Sequence, residues 1–87
     1  MRIRDSIRSF GMLMEKQLSL TEVSIGKIGW KELSTDYLFS RIMTHRFLAY
    51  NAYVGRNHKE CINQLIHVSN YCMMIADNLS YVNEVEK

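Results

Sequence analysis

Residues 57–83, NHKECINQLIHVSNYCMMIADNLSYVN, contain neither Gly nor Pro and read as one long helix. Asn57 is placed to cap the first turn, and Glu60 stands three residues on, the spacing of a capping box. Apolar residues then recur at Ile62, Leu65, Val68, Cys72, Ile75 and Leu79, three or four apart along one face. A second, rougher row runs Gln64, His67, Tyr71 and Met74, with Asn70 beside it. Two usable faces predict a helix packed from more than one side. The second row is the informative one, because it sets Gln and His where an ordinary core has Leu.

Working outward from this helix, residues 35–54 read as its partner. Ser34 suits an N-cap, Asp36 favours the first turn, and Gly55 is a natural helix-ending residue in the left-handed region. Leu38, Ile42, Ala49 and Tyr53 form one face that also carries His45, and Phe39, Met43, Phe47, Tyr50 and Val54 form the adjacent one. The short Gly55–Arg56 link predicts an antiparallel hairpin. Residues 2–20 read as a first helix, with Ile3, Ile7, Phe10, Met14 and Leu18 on one side and Arg2, Arg4, Arg8, Glu15 and Lys16 on the other. Gly11 weakens it by about 1 kcal/mol relative to Ala. Met12 and Met14 around Leu13 suit adaptable core filling. The connection, residues 21–33 (TEVSIGKIGWKEL), is long enough to fold over a helical core, with Trp30 either plugging that core or stacking on a base while lysines meet phosphates.

The chain has 87 residues, room for one domain, 1–87, whose small core favours oligomerisation. Absence of Pro and scarcity of Gly favour an all-α class. Three helices leave a bundle incomplete, and two hairpins supply four, so a homodimer or higher homo-oligomer is expected. No apolar run approaches the roughly 20 residues of a membrane span, and the basic start lacks a signal-peptide core, so a cytoplasmic location is expected. Cys61 and Cys72 on one helix lie roughly 16 Å apart, too far to bridge, and without CxxC spacing. Residues 1–59 carry ten basic against five acidic side chains, whereas residues 60–87 carry one against four. That imbalance suits an anionic small molecule and falls short of a duplex-binding stripe.

The runs IRSFGMLMEKQL, KIGWKELSTDYLFSRI and ECINQLIHVSNYCMMIADN together resemble the small MazG-like nucleotide pyrophosphohydrolases carried by phages. The resemblance covers roughly residues 7–79. Its most specific pieces are Lys27, Gly29 and Trp30, the Tyr37–Leu38 start of the second helix, and Asn70, Tyr71, Met73, Met74, Ile75, Ala76 and Asp77. It implies an all-α fold in which hairpins dimerise into a four-helix bundle around Mg²⁺, held by acidic pairs of the form ExxE and ExxD. Here the pattern departs at the ligands. Thr44, His45, Arg46, Phe47 and Leu48 stand where the first pair falls, and Gln64 and His67 where the second falls; Asn70 alone matches. Neutral amide and imidazole groups cannot replace carboxylates around a hard cation, so no enzyme activity and no cofactor is expected. Hydrolysis by the remaining acids (Glu60, Asp77, Glu32, Asp36) lacks a paired spacing. Two facing histidines also lack a third ligand for a transition metal.

Two functional expectations follow. One is a nucleotide held without hydrolysis by Lys27, Trp30, Lys31, Arg41, His45, Arg46, Gln64, His67, Asn70 and Tyr71, with a cyclic oligonucleotide immune signal as the ligand suggested by analogy. The alternative is an interaction module that docks a host defence protein on the inherited bundle.

Overall fold

The computed structural model describes the backbone of residues 2–25 and 29–86 and the side chains of residues 2–20 and 29–80. The order is α1 (Asp5–Ile25), a 3₁₀ turn (Trp30–Glu32), α2 (Thr35–Val54) and α3 (His58–Glu86), with no strand among the described residues. None of these helices is long and apolar enough to cross a membrane.

Local chemistry sets the ends. Ser34 Oγ accepts from the Tyr37 N–H at 3.1 Å and Asn57 Oδ1 from the Glu60 N–H at 3.2 Å, so both expected caps form. The capping box is only half made, because the Glu60 carboxylate turns to Gln64 instead. The α2–α3 link also departs from expectation. Gly55 has φ −78° and ψ 4°, and Arg56 takes the left-handed conformation at φ 59°. Gly11 does not interrupt α1, which starts three residues later than its apolar spacing suggests and extends to Ile25.

The α2–α3 hairpin is the body of the fold, and α1 and the 3₁₀ turn lie on α3. Leu38, Met74 and Ile75 form the buried centre, flanked by Leu18, Trp30, Leu33, Ile42, Tyr71 and Met73. Ala49 and Ile66 are also buried.

Burial on α3 is shared between its two rows, with Ile75 of the apolar row in the buried centre. Gln64, Asn70 and Met74, from the rougher row and its flank, are buried, whereas Ile62, Leu65 and Leu79 of the apolar row remain about half exposed. Polar pairing between helices turns Gln64 toward α2 and Asn70 toward α1. On α2, Leu38, His45 and Ala49 face inward, while Tyr53 is exposed rather than packed. The opposite face, Phe39, Met43, Phe47, Tyr50 and Val54, is 51–72 % exposed.

Candidate functional site

The inward faces of α2 and α3 meet in a row of polar groups. Arg41 and His45, and likewise Glu60 and Gln64, are four residues apart, the spacing that sets side chains beside each other on a helix. Arg41 Nη2 lies 3.0 Å from His45 Nε2, His45 Nδ1 lies 2.6 Å from Gln64 Oε1, and Gln64 Nε2 donates to Glu60 Oε1 at 2.7 Å. A guanidinium only donates, so His45 Nε2 accepts and carries no proton. The ring proton therefore sits on Nδ1 and is donated to Gln64. A single direction of donation runs from the Arg41 cation to the Glu60 carboxylate.

Two more rings close over this row. His67 lies 4.7 Å from His45, centroid to centroid, with 21° between the planes, and Tyr71 lies 5.5 Å from His45 at 24°. Burial pushes the His67 pKa below its ordinary 6.5, and the neighbouring His45 and Arg41 push the same way, against a smaller pull from Glu60. The Arg41 Nε proton is enclosed without an acceptor.

The sequence-derived candidates separate into four groups. Arg41, His45, Gln64, His67 and Tyr71 come together in this row. Asn70 is buried but turns to α1, where its Nδ2 donates to the Met14 carbonyl at 3.2 Å, and its Oδ1 is left without a partner. Trp30 packs on the core cluster beside Asp77, whose Oδ2 accepts from its indole N–H at 2.9 Å. Asn78 Nδ2 holds the Trp30 carbonyl at 3.2 Å. Asp77 is ten residues, roughly 15 Å, along α3 from His67, so Trp30 stands apart from the imidazoles. Lys31 and Arg46 are exposed, and Lys27 lies outside the described residues.

Glu60, Asp77 and Asn78 are the participants that sequence reasoning missed as partners. For Glu60, its four-residue spacing from Gln64 was the available signal. The Trp30 contacts span 47 and 48 residues and have no local signature.

The donor set does not fit Mg²⁺. A guanidinium and two imidazoles offer a hard cation no oxygen, and the Gln64 and Glu60 oxygens that reach the row are already bonded. His45 has no free ring lone pair for a softer metal, and no group of three His, Cys, Asp or Glu among the described residues is placed to hold one. A separate groove of about 620 Å³ runs between α1 and the start of α3, lined by Leu13, Leu20, Ile62 and Ile66 together with Lys16 and Lys59.

No protein-family model matches this chain, and no curated protein or solved structure matches it either.

Proposed function

We propose that this chain is a non-catalytic helical interaction module, in which two copies pair through the outer face of α2 and complete a four-helix bundle. The observation that carries this reading is the exposed run Phe39, Met43, Phe47, Tyr50 and Val54. A helix apolar on opposite sides is one meant to be covered on both. These five side chains offer roughly 500 Å² of apolar surface. That is a large part of the roughly 800 Å² per partner in a standard interface. The half-exposed row of α3, Ile62, Leu65 and Leu79, is then the surface left for a partner protein, such as a host factor.

The polar row supports the same reading. His45 and Gln64 fill the hairpin interior with bonds to one another, which supports a packing role for this space. In this reading the chain hydrolyses no nucleotide.

Replacing Phe47 by Asp sets a charge in the middle of the α2 face. Light scattering is expected to give twice the chain mass for the parent and the single chain mass for Phe47→Asp, with helicity retained in both. Equal masses for the two proteins would overturn the pairing.

One observation favours a second reading, retention of a nucleotide without hydrolysis. Arg41 brings a cation with an unanswered N–H beside a flat stack of rings, the pairing of charge and π-surface that a phosphate-linked base requires. Its test is thermal denaturation in EDTA against mono-, di- and cyclic oligonucleotides. A binder at about 100 times its Kd stabilises by about 2.7 kcal/mol. A flat panel excludes this reading and leaves the first.

A further inference from the structure

The groups that hold α2 against α3 are balanced around one charge state. His45 has committed both ring nitrogens, Nε2 as acceptor from Arg41 and Nδ1 as donor to Gln64. A proton added to Nε2 must displace the Arg41 N–H and leave two donors facing each other. A proton added to His67 places an imidazolium against the His45 ring at 4.7 Å and near the Arg41 guanidinium. Either route puts a second cation into a half-buried space that already holds one.

The surroundings offer little to neutralise it. From α2 the facing groups are Arg41 and His45, and from α3 they are Glu60 and Tyr71. Glu60 is the carboxylate that acts on His67, and its Oε1 is engaged by the Gln64 amide. Among the described residues, no charge from α1 or the 3₁₀ turn acts on His67.

We infer that the Arg41–His45–Gln64–Glu60 row and the stacked His67 form a proton-operated release, which keeps the hairpin closed near neutral pH and loosens it on mild acidification. The inference concerns packing within one chain and stands whether or not two copies pair. The direction follows from linkage. His67 binds a proton less readily in the folded chain than in the unfolded one, so its contribution is complete above about pH 6.5. That contribution is lost progressively as the pH falls from there through the lowered folded value. Loosening at this row would uncover Leu38, Met74 and Ile75, which lie farther along the same interface.

The test compares thermal midpoints between pH 7.5 and 5.5 in the parent, in His67→Phe, and in His58→Gln. His58 is the exposed histidine at the start of α3 and serves as the control. A fall of a few degrees is expected in the parent, because the unfolded chain takes up the His67 proton more readily than the folded one over this range. The fall should be unchanged in His58→Gln and at least halved in His67→Phe, which keeps a stacking ring and removes the titrating nitrogen. Arg41→Gln, which removes the cation and keeps a donor, should also reduce the fall. If His67→Phe does not fold, histidine ring NMR of the parent decides. A His67 resonance titrating below the ordinary range supports the inference, and one titrating at or above it overturns it. A parent midpoint constant over this range, or a fall of the same size in His67→Phe, would also overturn it. Repeating the comparison on Phe47→Asp separates this effect from any loss of pairing.

Discussion

Gln64 shows how a polar residue can occupy a core position without loss. Its Oε1 answers His45 and its Nε2 answers Glu60, so both ends of one amide are used across and along the helices. Desolvation of a polar group is offset when each donor and acceptor finds a partner. Substituting Leu keeps the volume but leaves the His45 Nδ1 proton without its acceptor, enclosed between the helices. The expected cost of Gln64→Leu is about 1–3 kcal/mol, read as a shift in the urea midpoint with unchanged slope. The sequence carries the presence of Gln64, His45 and His67 on inward rows, but not which bonds they form. Apolar periodicity counts rows of hydrophobic atoms, and a matched amide–imidazole pair adds nothing to that count.

At the scale of elements, the two capping residues and the hairpin were legible because each depends on a few adjacent side chains. The link between α2 and α3 was legible only in length. Its left-handed position falls on Arg56 rather than on the preceding glycine. An added Cβ at Gly55 would stand 3.3 Å from the Asn51 carbonyl oxygen, so the glycine serves close backbone approach instead. A non-glycine residue in the left-handed region costs about 1–2 kcal/mol relative to the right-handed one. Arg56→Gly relieves that cost but gives the unfolded chain more freedom. The expected net gain is up to about 1 kcal/mol, measured as a higher thermal midpoint at pH 7.5. A lower midpoint would mean that Arg56 makes a compensating contact in the folded chain. Trp30 belongs to this scale as well. Its bonds to Asp77 and Asn78 pin the 3₁₀ turn to the second half of α3, making it a clasp between elements rather than a plate beside the imidazoles.

The whole molecule has its polar side chains partly inside and much of its apolar surface outside. His45, Gln64 and Asn70 are buried, whereas Phe39, Met43, Phe47, Tyr50 and Val54 face water together. A chain of 87 residues with Leu38 as its one fully buried large side chain among those described has little core of its own. The all-α class and the three helices follow from local patterning. The outer α2 face was visible in the sequence as a second apolar stripe, but a stripe does not state whether its cover comes from the same chain. Here α1 lies on α3 and leaves that stripe open. Positions 44–48, 64 and 67, on the facing helices of the hairpin, carry no carboxylate.

Sedimentation equilibrium of the parent chain over roughly 1–100 µM at pH 7.5 tests this account most directly. Burial of the α2 face between two copies predicts a reversible monomer–dimer equilibrium shifted to dimer within this range, with the mass doubling as concentration rises. A mass that stays at 10.3 kDa throughout would contradict the pairing and leave the α2 face without the role assigned to it.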